Sequence, residues 1–373
     1  MRGTAPFEPF RIEIPQNDLD DLHDRLARTR WPDPLPGERW SNGMPVEYAR
    51  ELADYWRTGF DWRAVEAELN SWSHFLTEID GQRVHFIHAP SAKPGALPLL
   101  ITHGWPGSVV EFLDVLRLLT KDFHVVAPSL PGFGFSTPPT AGWGVKRIAN
   151  AWAELMTRLG YRRFVAQGGD WGSAVTRSLS LNHPDHVVAV HYSTLMHGIP
   201  AEPKDLQGLT DAELGLIESG RRFAVDGVAY AQIQHTRPQT VSYALADSPV
   251  AQMTWIGEKF YEWTDNDGSP EDAISRDRML ANIAFYWFTG TGGSSAQIYA
   301  AQAGARGSGP RKAEVPAAVA VFPAEIRPPI RRFAERENNI VRWTEFERGG
   351  HFASLEVPDL LAGDIQVSFS EIA

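Results

Sequence analysis

Val165-Ala-Gln-Gly-Gly-Asp-Trp-Gly-Ser173 decides how this chain is read. The apolar run Phe164 to Ala166 reads as a buried strand, and a helix is expected from Ser173 onward. Between them Gly168 and Gly172 lie two residues before and two residues after Asp170. That spacing is the pattern of a nucleophile elbow, a strand-to-helix turn so tight that neighbouring β-carbons would clash and the tip side chain is thrust above the sheet. The tip here is a carboxylate, ionised at neutral pH with a reference pKa of about 3.9, so it can attack without a base. Its natural target is an sp³ carbon bearing a poised leaving group, since the product is an ester that water can cleave. A serine attacking such a carbon would leave an ether and stop after one turnover. The competing reading is that Asp170 caps the helix, a position Asp favours. What separates the two is whether the chain supplies the remaining parts.

The 373 residues suit a large α/β domain with an added domain or insertion. A net charge of −11 argues against nucleic acid or an anionic membrane as partner, both of which need basic surface. With no cysteine, disulfide and thiol chemistry are excluded, and zinc could be held only by His and carboxylates. Met1 to Pro15 is short and broken by Pro6, Pro9 and Pro15, so no leader or membrane anchor is expected and the reading is a cytoplasmic protein. Thirteen tryptophans would serve an aromatic-lined pocket or simply the core.

Residues 1–80 read as a helical arm. Asn17 or Asp18 can cap a helix carrying Leu19, Leu22 and Leu26, and further helices are expected over Pro45 to Arg57 and Trp62 to Leu69. From His74 the period becomes two, and Asp80-Gly81 marks a hairpin turn. Apolar runs at 99–102, 123–127, 164–166, 187–192, 317–322 and 340–346 then alternate with helical patterns at 109–119, 145–159 and 173–182. With the hairpin this gives a mostly parallel eight-stranded sheet with helices on both faces, one antiparallel edge, and core segments at 81–195 and 315–373. The interval 196–314 lacks a strand pattern and is too long for a structureless loop, so it reads as an inserted helical cap, with breaks at Gly290 to Ser295 and Gly304 to Gly309.

The parts that would serve Asp170 can be found. Thr102-His-Gly-Trp-Pro-Gly-Ser108 follows a buried strand, and the backbone N–H groups of Trp105 and Trp171 can form an oxyanion hole. Trp105-Pro106 is a candidate cis peptide. His351, in Arg348-Gly-Gly-His-Phe352, lies after the last strand, in the chain order expected of a base. Glu325, just past the strand Ala317 to Phe322, can orient it, with Glu335, Glu345 and Glu347 as competitors. His183 and His186 form a metal-like pair without a carboxylate cluster. A phenol could hydrogen-bond a leaving oxygen, and spacing does not choose among Tyr230, Tyr243, Tyr261, Tyr286 and Tyr299.

Taken together these motifs resemble the epoxide hydrolases of the α/β-hydrolase superfamily, in the microsomal and juvenile-hormone branch, over nearly the whole chain. Arg28-Thr-Arg-Trp-Pro32 and Thr77-Glu-Ile-Asp-Gly81 resemble the N-terminal domain of that family, His103-Gly-Trp-Pro-Gly-Ser108 its oxyanion loop, and Gly168-Gly-Asp-Trp-Gly172 its nucleophile motif. Phe322-Pro-Ala-Glu325 and Arg348-Gly-Gly-His-Phe352 match its acid and base, and Tyr230 and Tyr299 its two cap tyrosines. The resemblance implies an α/β-hydrolase fold and an epoxide opened by Asp170 to an alkyl ester, which water activated by His351 and Glu325 hydrolyses to a vicinal diol. It implies no cofactor and no metal, with an epoxide and water as partners; the aromatic content suggests that the epoxide is small and apolar, and a homodimer is an open option. A haloalkane dehalogenase, in which indole N–H groups bind halide, and a non-catalytic ligand-binding homologue are the alternatives.

Overall fold

The computed structural model describes residues 6–37, 39–195, 203–302 and 311–372. A single sheet of nine strands runs in the order β1-β2-β3-β5-β4-β6-β7-β8-β9. Its strands are β1 (Glu8–Phe10), β2 (His74–Ile79), β3 (Gln82–Ala89), β4 (Leu97–Thr102), β5 (Phe123–Pro128), β6 (Phe164–Gly168), β7 (Val187–Tyr192), β8 (Ala313–Val321) and β9 (Asn338–Glu345). The first four strands of that order pair antiparallel and the remaining pairings are parallel.

The expected eight strands are present and β1 is the ninth. Three residues are too few to show a period, and Pro9, which cannot donate to a ladder, argues against a strand except at an edge. The edge is where β1 lies, with Pro9 opposite Phe75 of β2.

Leu99, Leu100, Val125, Val126, Phe164 and Val165 are fully buried. These unbroken apolar runs are what central parallel strands need when both faces are covered. The cover comes from α5 (Val145–Arg158) packed on α6 (Asp170–Asn182), and from α4 (Leu113–Leu119) packed on α15 (Pro358–Ile372). Truncating one such core side chain, Leu100→Ala for example, would cost about 2–5 kcal/mol.

The N-terminal helices are α1 (Gln16–Ala27), α2 (Val46–Thr58) and α3 (Trp62–Leu69). In α2, Tyr48, Leu52 and Trp56 recur every fourth residue and are buried, which sets the inward face. The expected cap of α1 is corrected: the helix starts at Gln16 behind Pro15, without a side-chain cap, and Asn17 and Asp18 fall inside its first turn.

Between β7 and β8 the described residues hold α7 (Asp211–Arg222), α8 (Ala229–Thr236), α9 (Pro238–Asp247), α10 (Pro249–Glu262), α11 (Arg276–Thr289) and α12 (Gln297–Gln302). The expected start of the insertion at 196 and its Gly304 to Gly309 break lie outside the described residues. After β8 come α13 (Arg331–Glu337) and α14 (Ala353–Glu356). Among the described residues, no helix is long and apolar enough to cross a membrane.

Candidate active site

The turn between β6 and α6 is closed by backbone contact. A β-carbon on Gly172 would sit 1.8 Å from the Thr102 carbonyl oxygen, and one on Gly168 would sit 2.2 Å from that of Gly172. Glycine at both positions lets α6 start against the ends of β4 and β6. The helix begins at Asp170, three residues earlier than the periodicity predicts, with Gly169 as the residue before it. Asp170 has φ 49, a left-handed conformation that non-glycine residues rarely hold without compensation.

The Asp170 carboxylate does not serve as the helix cap. Its Oδ1 accepts a 2.8 Å hydrogen bond from the N–H of Trp105, on the loop after β4, and the N–H of Trp171 also donates to the carboxylate. Gly104 makes room for it, since a β-carbon there would meet Asp170 Oδ1 at 2.2 Å. The loop is in turn held by α11. Asn282 donates to the Pro106 carbonyl at 2.8 Å, Ser108 donates to Asn282 at 2.7 Å, and the Tyr286 hydroxyl donates to the Gly107 carbonyl at 2.7 Å. The Trp105-Pro106 bond is cis, as the sequence predicts.

His351 and Glu325 come from the loops after β9 and β8. An isolated bridge, Ala324 with Gly350, ties the two loops together, and the His351 N–H donates to the Trp263 carbonyl at 2.9 Å. His351 Nδ1 lies 2.9 Å from Glu325 Oε1, while Thr194 donates to Glu325 Oε2 at 2.6 Å. His351 Nε2 faces Asp170 Oδ2 at 3.7 Å, too far for a hydrogen bond and close enough for strong electrostatic coupling. Of the competing acids, Glu335 pairs with Arg331 and Glu345 accepts from Trp343.

The electrostatics follow from burial and these neighbours. Burial raises the Asp170 carboxyl, and the His351 charge with the Trp105 and Trp171 N–H groups pulls it back. Burial would depress His351, yet Glu325, Asp170 and Glu111 together carry it up to about 9. Glu325 is disfavoured as an anion by burial, and His351 with Thr194 outweighs that, leaving its pKa below the usual carboxylate range.

Tyr230 and Tyr299 pack on the two tryptophans whose N–H groups hold the carboxylate. The Tyr230 ring stacks on Trp105 at 4.9 Å, and Tyr299 meets Trp171 edge-on at 4.8 Å. Burial and the Asp170 charge hold both phenols well above the ordinary tyrosine value, so both keep their protons at neutral pH. The other three candidates are engaged elsewhere: Tyr243 is 71% exposed, Tyr261 stacks on Trp40, and Tyr286 holds the Gly107 carbonyl. His183 and His186 lie apart from the site, bound to Asn150 and to the Arg162 carbonyl.

Three neighbours were not expected. Thr194 fixes the acid, and Trp263 packs its ring 5.0 Å from that of His351. Glu111, on the short 3₁₀ turn Val109–Phe112, lines the same small cavity as Asp170 and His351. The one signal for it in the sequence is a lone carboxylate within Val109-Val-Glu-Phe-Leu113, where every neighbour is apolar.

The arrangement brings together a carboxylate that accepts from two backbone N–H groups, a buried imidazole paired with a second carboxylate, and two protonated phenols. Comparison with known proteins gives the family and the fold. Residues 7–112 match the family described as "Epoxide hydrolase N terminus" and residues 98–209 that described as "alpha/beta hydrolase fold". A protein of Stigmatella aurantiaca whose name places it among the epoxide hydrolases is 46% identical over 376 residues, covering 98% of this chain and 85% of its own. Epoxide hydrolase 1 of Sus scrofa is 35% identical, covering 96% and 87%. The solved structure of Aspergillus niger epoxide hydrolase superposes with a TM-score of 0.90 at 31% identity, covering 99% of this chain and 97% of that one.

Proposed function

The chain belongs to the epoxide hydrolase family, and from that premise we propose that it converts an epoxide to a vicinal diol through an ester on Asp170. One observation carries this reading. The N–H groups of Trp105 and Trp171 donate to the Asp170 carboxylate, the rings of the same two tryptophans pack on two protonated phenols, Tyr230 and Tyr299, and His351, paired with Glu325, faces the carboxylate at 3.7 Å. Phenol donors suit an oxygen that leaves as an alkoxide, a need that a halide does not have.

In the first half-reaction Tyr230 and Tyr299 hydrogen-bond the epoxide oxygen. Asp170 Oδ2 forms a bond to one ring carbon as the carbon–oxygen bond of the ring breaks, and the alkoxide takes a phenol proton. The His351 imidazolium replaces that proton through solvent and becomes neutral. Alkylation helps this step, because an ester carries no charge and one of the anions that raised His351 is gone. In the second half, neutral His351 takes a proton from water as the water oxygen bonds to Asp170 Cγ. The oxyanion on Oδ1 is held by the Trp105 and Trp171 N–H groups, a contribution of about 10²–10³ per donor. Collapse releases the diol oxygen, which takes the proton of the Asp170 carboxyl. The resting pair, carboxylate and imidazolium, is restored, and no cofactor or metal takes part.

In this reading residues 196–314 act as a cap over a core formed by 81–195 and 315–373, with 1–80 as an arm against it. The substrate is a small apolar epoxide, in keeping with the rings of Trp105, Trp171 and Trp263 that pack on Tyr230, Tyr299 and His351. Residence in the cytoplasm belongs to the same reading, tested by fractionation, and a homodimer is an open option, tested by light scattering.

The scheme is tested by His351→Gln. Ester formation should survive and hydrolysis should not, so intact-protein mass spectrometry should find the substrate mass retained on the chain. A His351→Gln protein that stays unmodified and still yields diol would defeat the scheme, and halide release from a chloroalkane without diol from any epoxide would move the reading to a dehalogenase.

A further inference from the structure

The second half-reaction needs a water held in line with Asp170 Cγ, and one imidazole nitrogen fixes only one of its hydrogens. A cavity of about 20 Å³ lies against Asp170 and His351. One water needs roughly 10–15 Å³ of such space and two to four polar partners. The polar side chains lining this cavity besides Asp170 and His351 are Glu111, Gln167, Ser193 and Ser354. Gln167 already donates to Ser193 at 3.2 Å. The Glu111 carboxyl, by contrast, receives no hydrogen bond from any described residue. Its position is nevertheless tightly set, because a β-carbon on Gly107 would lie 2.0 Å from Glu111 Oε2. The side chain is thus folded under the oxyanion loop, its end turned into the space shared with the nucleophile and the base.

We propose that Glu111 binds the hydrolytic water, its carboxyl oxygen accepting the hydrogen that does not go to His351. The role rests on Asp170 being the nucleophile and adds a residue to the hydrolytic half-reaction alone. No proton is transferred to Glu111. The water gives one hydrogen to His351 Nε2, keeps the other on Glu111 until its oxygen has bonded to Asp170 Cγ, and that hydroxyl then belongs to the regenerated carboxyl. The environment in the resting site disfavours charge on this carboxyl. Burial, opposed by the His351 charge and reinforced by that of Asp170, pushes the Glu111 carboxyl up to about 8.

The experiment is single-turnover kinetics with an aryl epoxide that the unaltered enzyme hydrolyses, ester formation and decay being followed by tryptophan fluorescence and confirmed by mass spectrometry of quenched samples. Glu111→Gln keeps a neutral carbonyl acceptor, and both half-reactions should stay within about threefold of the unaltered enzyme. Glu111→Met keeps the volume without a comparable acceptor. Its alkylation should change little while hydrolysis slows about 10–100-fold, the worth of a hydrogen bond to a polar reacting group, so that ester accumulates. Gly107→Ala, which displaces the carboxyl tip, should shift the balance in the same direction. If Glu111→Met fails to fold, Glu111→Leu carries the same expectation. Hydrolysis at the ordinary rate in the apolar variant, or equal slowing of both halves, overturns the role of Glu111. If no ester forms even in the His351→Gln protein, it is the assignment of Asp170 that falls.

Discussion

Gly172→Ala tests the turn on which Asp170 depends. The added methyl would lie 1.8 Å from the Thr102 carbonyl oxygen, 2.6 Å from its carbon and 3.0 Å from the His103 carbonyl oxygen. All three are backbone atoms at the end of β4, where Thr102 pairs with Gly168 of β6, so no side chain can swing aside. Even a tight carbon–oxygen contact of about 3.3 Å requires α6 and the loop after β4 to part by roughly 1.5 Å. That movement opens the 2.8 Å bond from the Trp105 N–H to Asp170 and shifts the carboxylate away from the phenols. Overpacking of this kind costs about 1–3 kcal/mol of stability, and misplacing a reacting group by 1 Å costs about 10² in rate. Calorimetry should therefore record a lowered Tm, and stopped-flow fluorescence a fall of about two orders of magnitude in ester formation. The control is Gly215→Ala, in the exposed middle of α7, where a β-carbon meets nothing within 4 Å. There the same methyl should stabilise by about 0.5–1 kcal/mol and leave the rate alone. A Gly172→Ala protein with unchanged Tm and unchanged alkylation would refute the account of the elbow as a turn closed by backbone contact.

Removing either phenol, Tyr230→Phe or Tyr299→Phe, should slow alkylation about 10–100-fold, the range of a hydrogen bond to a developing charge, and spare the decay of preformed ester; equal loss in both steps, read by the same fluorescence trace, would contradict it. Glu325→Gln should leave ester formation measurable and slow its hydrolysis about 10²–10⁴-fold, seen as ester accumulation by mass spectrometry. Stability should follow pH through His351. Its folded pKa is raised from about 6.5 to about 9, so its contribution is complete below pH 6.5 and is lost as pH rises through 9. The fall in Tm across that window should be shallower in His351→Gln, and an unchanged slope would mean the imidazole is not held as a cation at rest.

What the sequence revealed and what it hid divide along the range of the interactions. The limits of α3, Trp62–Leu69, can be read from periodicity because Trp62, Val65, Glu66 and Leu69 bury one face over its whole length, and β2, His74–Ile79, can be read from its alternating pattern and the Asp80-Gly81 turn that ends it. The starts of α1 and α6 cannot be read that way. Asn17 and Asp18 are good caps in isolation, but Pro15 already fixes the entry to α1. Asp170 is drawn into the helix because Gly172 lets the first turn of α6 approach β4, a contact between segments some seventy residues apart. Strand β1 exists only because β2 offers an edge to three residues that have no pattern of their own.

The site divides in the same way. Asp170, His351 and Glu325 stand at strand ends, and a parallel sheet gathers strand ends along one edge whatever the loops contain. Chain order was therefore enough to propose that they meet. Tyr230 and Tyr299 sit on α8 and α12, and nothing in their spacing tells them from Tyr286, whose hydroxyl is buried against the loop that carries Trp105. The difference is made by what each ring packs on, Trp105 for Tyr230 and Trp171 for Tyr299. Glu111 shows the complementary case. A carboxylate set in Val-Val-Glu-Phe-Leu violates the apolar pattern of its turn, and such a violation persists only where something compensates for burying the group. Among the described residues none donates a hydrogen bond to the Glu111 carboxyl, whereas the proposed reaction brings water to this spot in every turnover. A break in pattern beside a nucleophile was thus evidence about chemistry, visible before any coordinates, and it becomes interpretable once Asp170 and His351 are seen to share a cavity with it.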